Sequence, residues 1–232
     1  MKKTIMSFLF LLLTASLYLQ AQEKAKPVIS ILGDSYSTFE GYIPDGNEPW
    51  YFTEPVENRT DVVDVKQTWW WQLISEGGYI LGVNDSYSGA TISYTGYNGD
   101  DYSHRSFITR LPHLGSPDIL LIFGATNDNW AQSPLGDFIY GDISRDKLYE
   151  FRPALGTLLS EAQNRYPSTR IVFIINTELR SEIVNSITEI CNHYGGEYIE
   201  LSDIDKMNGH PSVKGMAQIK TQIMKFLKND NH

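Results

Sequence analysis

Cysteine is all but missing. Cys191 stands alone among 232 residues, so no intrachain disulfide can form, and stability must come from the core, which a chain of this length can supply. Basic residues are also scarce: 19 Lys and Arg against 28 Asp and Glu give a formal net charge of −9. Such a surface repels phosphate backbones, which argues against nucleic acid or an anionic membrane as partner. The 5 histidines are scattered, with neither H-E-x-x-H nor a Cys–His spacing, so no metal ion and no cofactor is expected. His193, near a helix end, is expected to meet that helix's carbonyls.

Only the first residues carry a long apolar run. Lys2 and Lys3 precede an apolar stretch from Ile5 to Leu19, and Ala21 lies near a plausible cleavage point. The run is short for a membrane span, which needs about 20 residues. Residues 1–21 are therefore expected to be a signal peptide, with an uncleaved anchor as the alternative. No cysteine at the cleavage point supports a lipid-modified terminus. A secreted or periplasmic protein follows, with no membrane partner after cleavage. Removing 1–21 takes away two lysines and no acid, so the mature chain is more acidic still. Residues 27–230 are expected to form one domain.

What is present is alternation. Buried-strand patterns at 27–33, 79–86, 117–128, 169–178 and 197–203 are separated or followed by helix patterns at 67–78, 144–167, 180–196 and 211–229. Pro153 is expected to kink or divide the second helix. Pro211 fits the first turn of the last helix and would leave His210 at that helix's start. This order implies βαβ units, right-handed crossovers and a parallel sheet covered on both faces. In such sheets the ligand site lies at the carboxyl ends of the strands.

Residues 36–66 break the pattern. They are rich in Gly, Pro, Asn and Asp, with Tyr36, Phe39, Tyr42, Trp50, Tyr51 and Phe52 among them. A long insertion of that kind is functional or disordered, and the aromatics oppose disorder. They could form a small core of their own or offer faces to sugar rings. Trp69–Trp71 reads as core, and Cys191 as a buried helix residue.

Four polar clusters lie at the sheet's edge or before the last helix. In "GDSYS" (33–37) a buried strand ends at Gly33, Asp34 and Ser35. "SYSGATIS" (86–93) offers Gly89, "GATND" (124–128) offers Asn127, and "NGHPSVKGM" (208–216) offers His210. Each alone suits an ordinary turn. Together they supply a hydroxyl, a base, and N–H donors for an oxyanion, the parts that nucleophilic ester hydrolysis needs. Asp34 and Asp128 are expected to accept backbone N–H bonds.

In that order the four clusters resemble the blocks of the SGNH, or GDSL-like, hydrolase superfamily. The resemblance runs from Val28 to the last helix. It implies an α/β fold: a three-layer α/β/α, flavodoxin-like arrangement with a central parallel sheet of about five strands. It also implies Ser35 as nucleophile and His210 as base. The oxyanion hole would be built from the Ser35 N–H, the Gly89 N–H and the Asn127 side chain, without metal or cofactor. Two positions depart from the family pattern. Ala125 stands where relatives often carry Gly, after an additional Gly124. Met207 occupies the place, three before the histidine, where the orienting acid usually sits. Asp205 is the expected substitute, with Asp203 or a backbone carbonyl as alternatives.

The expected activity is removal of O-acyl groups, acetyl foremost, from carbohydrates. The substrate would be a small-molecule or neutral glycan ester, and the rate would rise from about pH 6 to 8 as an ordinary histidine loses its proton. The competing readings are a lipid or short-chain carboxylesterase, and a glycan-binding protein on the same scaffold whose catalysis has weakened at Met207.

Overall fold

The computed structural model describes residues 25–229; the expected leader, 1–21, lies outside them. Among the described residues no helix is long and apolar enough to cross a membrane.

Five strands form one parallel sheet: β1 (Val28–Gly33), β2 (Ile80–Ser86), β3 (Ile119–Gly124), β4 (Arg170–Ile175) and β5 (Glu197–Glu200), ordered β2-β1-β3-β4-β5. Each central strand is a continuous apolar run because both sheet faces are covered. Side chains alternate between two cores. Leu120, Ile122, Phe173 and Ile175 face one, while Ile119, Leu121, Phe123, Val172 and Ile174 face the other. The first core packs against α2 (Phe107–Arg110), α4 (Phe151–Arg165) and α5 (Ser181–Tyr194); the second packs against α1 (Trp69–Gly77) and α6 (Val213–Asn229), and the short α3 (Thr126–Trp130) follows β3 directly. This is the three-layer, flavodoxin-like order. The strand order reverses between β1 and β3, and in parallel sheets of this kind ligands bind beside such a point, at the strands' carboxyl ends.

The helix ends follow local chemistry. Gly78 and Gly195 close α1 and α5 in left-handed conformation, as Gly at that position allows. The expected 144–167 helix is divided. A short 3₁₀ segment, Arg145–Tyr149, precedes α4, and Pro153 sits in the first turn of α4, where its missing N–H costs no bond.

The start of the last helix differs from expectation. Pro211 lies outside it, in a two-stranded antiparallel hairpin of β6 (Lys206–Met207) and β7 (His210–Pro211). Asn208 and Gly209 form its two-residue loop, both with positive φ (48° and 77°), as a type I′ turn requires. The helix begins two residues later, with the Ser212 hydroxyl accepting from the Gly215 N–H at 3.1 Å.

The 36–66 segment is ordered by its own aromatics. Tyr36, Phe39 and Tyr51 join the core under α1 and α6, together with the buried Trp69 and Trp70. Cys191 is buried, and His193 stacks on Tyr140 at 3.6 Å between ring centroids.

Candidate active site

Ser35 follows the carboxyl end of β1, where the strand order reverses. Asp34 turns the chain there, its carboxylate accepting from the Tyr36 N–H at 3.0 Å. Arg110 braces the same turn by donating to the Gly33 carbonyl at 3.1 Å. Asp34 is fully buried and its second oxygen has no partner among the described residues. Burial pushes its carboxyl up to about 7, so near neutral pH it carries a proton for a large part of the time.

The hairpin brings His210 to this turn from 175 residues away. Its Nε2 lies 2.9 Å from Ser35 Oγ. Its Nδ1 lies 3.2 Å from the Asn208 carbonyl. A carbonyl only accepts, so the proton sits on Nδ1 and the Nε2 lone pair faces the serine hydroxyl. That is the tautomer a general base needs. Burial pushes the imidazole down to about 4, its Nδ1–H bond to the Asn208 carbonyl acts the other way, and the charges of Arg59 and Lys206 add to the lowering.

The insertion holds this hairpin in place. The Tyr36 hydroxyl donates to the Gly209 carbonyl, and the Tyr51 hydroxyl donates to that of Pro211 at 3.1 Å. Asn208 donates to the Arg59 carbonyl at 3.2 Å. Trp50 lies flat on the imidazole, with 3.6 Å between centroids and 8° between planes. Trp130, 42% exposed, meets the same ring edge-on at 5.7 Å.

The expected orienting acid is not there. The Asp205 carboxylate accepts from the Ser212 hydroxyl and pairs with Lys214 at 3.6 Å. These partners, Ser212 foremost, hold it below the usual carboxylate range. It steadies the Ser212 cap of α6 rather than the imidazole. Asp203 is exposed, with φ at 53°, and does not reach His210 either. In the hairpin Met207 pairs directly across from His210 and is 37% exposed. Of the three alternatives, the carbonyl is the group that meets Nδ1.

The three expected oxyanion donors follow the ends of three neighbouring strands, β1, β2 and β3. Gly89 (φ 77°) lies in the loop after β2, whose Ser86 pairs with Gly33 in the sheet register. Asn127 follows β3 and donates from Nδ2 to the Ala90 carbonyl at 3.0 Å, while its Oδ1 accepts from the Tyr97 hydroxyl at 2.7 Å. The Ala90 contact fixes which end of the amide is nitrogen, and the second Nδ2 proton is left over. Among the described residues the Ser35 and Gly89 N–H groups have no protein acceptor. Asp128 fastens the Gly89 loop, accepting from the Ile92 and Ser93 N–H groups at 2.8 and 3.0 Å. Burial pushes its carboxyl up to about 6, with those N–H bonds acting against the rise.

The departure at Ala125 has a conformational consequence. Ala125 has φ 71°, in the left-handed region that favours glycine. Gly124 meets a different need: a Cβ there would lie 2.5 Å from Phe107. Sequence reasoning missed Trp130 and Arg59, and it offered a backbone carbonyl without naming Asn208 as its residue. The Asn208-Gly209 dipeptide, a two-residue hairpin signal, was the one clue to the last.

A family model described as GDSL-like Lipase/Acylhydrolase matches residues 27–227. Among solved structures, a candidate GDSL-like lipase from Bacteroides ovatus is 56% identical, over 89% of this chain and 100% of that one, with a TM-score of 0.87. A second candidate GDSL-like lipase, from Bacteroides uniformis, is 48% identical over 89% and 97%, at 0.85. A carbohydrate acetylesterase from Sinorhizobium meliloti shares the fold at 16% identity, over 88% and 99%, with a TM-score of 0.61. No curated protein gives a match.

Proposed function

Because the chain belongs to the GDSL-like lipase/acylhydrolase family and is an ester hydrolase, we propose that it is an exported serine esterase that removes O-acyl groups, acetyl foremost, from carbohydrates. Its hydrolase domain spans 27–230 and follows a cleaved leader, 1–21.

Ser35 Oγ attacks the acyl carbonyl while His210 Nε2 takes the hydroxyl proton. Charge gathers on the carbonyl oxygen, which faces the Ser35 N–H, the Gly89 N–H and the free Asn127 Nδ2 proton. His210 then gives its proton to the departing sugar oxygen, leaving an acyl-serine. A water molecule, deprotonated by the same imidazole, releases the acid and restores Ser35. The Asn208 carbonyl sets the tautomer but carries no full charge, so the imidazolium gains less stabilisation than a carboxylate would give. The site is a Ser–His dyad with a carbonyl orienter.

The observation that carries this reading is the 2.9 Å approach of Nε2 to Ser35 Oγ, with Nδ1 committed to a carbonyl. It supports a working base and weighs against the binding-protein alternative. Support for a carbohydrate comes from the exposed Trp130 ring beside the imidazole, since an indole face suits the C–H faces of sugars. The test is acetate release from acetylated xylo-oligosaccharides, with Ser35→Ala as control. Release by wild type alone supports the reading. Cleavage of long-chain acyl esters in preference to sugar acetates would move it to the lipid-esterase alternative.

A further inference from the structure

Arg59 is held beside the base and is left without a counter-charge. Its guanidinium lies 3.9 Å from the Trp50 ring centroid, on the indole that stacks on His210 at 3.6 Å, and 5.2 Å from the Phe52 ring. Its Nε is buried with no hydrogen-bond partner. Its backbone is fixed, since the Arg59 N–H donates to Val56 at 3.1 Å and its carbonyl accepts from Asn208. Among the described residues it forms no ion pair, although the chain carries 28 acids. The other cation near the imidazole, Lys206, already has a carboxylate partner, Glu178, at 2.9 Å.

An arginine in an acidic protein is easily paired, and an unpaired one held over the indole that stacks on the candidate base is available to a ligand. Guanidinium on an aromatic face keeps its outer N–H groups in a planar fork, the geometry that grips a carboxylate with two hydrogen bonds. We propose that Arg59 is an anion subsite, and that the sugar ester bears a carboxylate, as a uronic acid does, near the scissile acyl group. This rests on the carbohydrate reading above and replaces the neutral glycan that the net charge suggested: the overall charge is negative, but the local field beside His210 is positive.

The experiment compares kcat/KM for two O-acetylated methyl glucuronosides that differ only in whether the carboxyl is free or methyl-esterified, with acetylated methyl xyloside as the neutral reference. Wild type should favour the free acid by about tenfold or more, the order expected of a charge-assisted bidentate contact, and the preference should shrink in high salt. Arg59→Gln should bring the ratio to near one, and Arg59→Lys should restore part of it. The ratio is read within each variant, so a general loss of activity does not mimic the effect. Equal rates on the two glucuronosides in wild type, with the xyloside still cleaved, overturn the anion subsite and leave the carbohydrate reading standing. So does a preference that survives Arg59→Gln or disappears instead in Arg105→Gln, whose cation lies over Tyr102 at 3.6 Å on the Asn127 side of the site. If no sugar acetate is cleaved while 4-nitrophenyl acetate is, both readings fall.

Discussion

His210 points its Nδ1 at the carbonyl of Asn208, two residues back in its own hairpin loop, at 3.2 Å. The group that meets this ring nitrogen is thus backbone, and it is placed by a turn rather than by a side chain. The position where an acid is usual is taken by Met207, across the hairpin from His210.

Asp205→Asn should therefore leave kcat/KM on 4-nitrophenyl acetate within a few-fold of wild type. Its partners are Ser212 and Lys214, so the measurable change should be a modest fall in Tm as the α6 cap loosens. A loss of a hundredfold or more in kcat, at full folding, would return Asp205 to the imidazole.

Trp50→Ala removes the indole that holds the imidazole's plane. We expect kcat to fall by about ten- to a hundredfold, the scale of a small misplacement of a reacting group. Trp50→Phe should recover most of it. Unchanged kcat in the alanine variant would mean that the hairpin alone fixes the ring.

The pH profile follows from the burial of His210. The imidazole must be neutral to accept the serine proton, and burial, joined by Arg59 and Lys206, puts its titration at about 4. Activity should be flat from pH 6 to 8 and should fall as pH drops toward 4, not rise across the neutral range as an ordinary histidine would make it. A kcat/KM profile for 4-nitrophenyl acetate with its acid limb near 6.5 would show that the ring is solvated in the working enzyme.

Asp34 titrates in the opposite sense for stability. In the folded chain its proton is held up to about 7, against 3.8 for the free group. As pH rises through that window the unfolded chain sheds the proton and the folded chain keeps it, so this contribution to stability is present below about 4 and lost toward 7. Asn in its place can still accept from the Tyr36 N–H and carries no charge. The Tm of Asp34→Asn relative to wild type should climb between pH 5 and pH 8, and a constant difference would contradict the burial of a protonated acid.

Ala125→Gly should raise stability by up to about 1 kcal/mol, as the left-handed strain of alanine outweighs the added freedom of glycine in the unfolded chain. Gly124→Ala should lower it, because the new Cβ meets Phe107. Thermal unfolding of the two variants checks both signs.

Much of the fold could be read from residues alone, because parallel strands buried on both faces leave unbroken runs such as Ile119–Phe123 and Val172–Ile175. Gly78 and Gly195 marked helix ends for the reason that they adopt positive φ. Ser35 and Asn127 were legible because both end a buried strand at one sheet edge. The hairpin around His210 was not, since strands of two residues are too short to show alternation. Pro211 looked like a helix start and instead lies in an extended strand. Asp205 was within reach by sequence distance, but its direction is set by Ser212 and Lys214, which spacing cannot reveal. The Arg59–Trp50–His210 stack joins segments some 150 residues apart and leaves no local signature.

The central claim is a covalent acyl-enzyme on Ser35 formed with His210 as base, and the most direct measurement is mass spectrometry of enzyme quenched during turnover of 4-nitrophenyl acetate. One acetyl group on the peptide containing Ser35, absent from Ser35→Ala and strongly reduced in His210→Ala, is the predicted result. Turnover that persists in Ser35→Ala, or acetyl carried on another residue, would contradict the account.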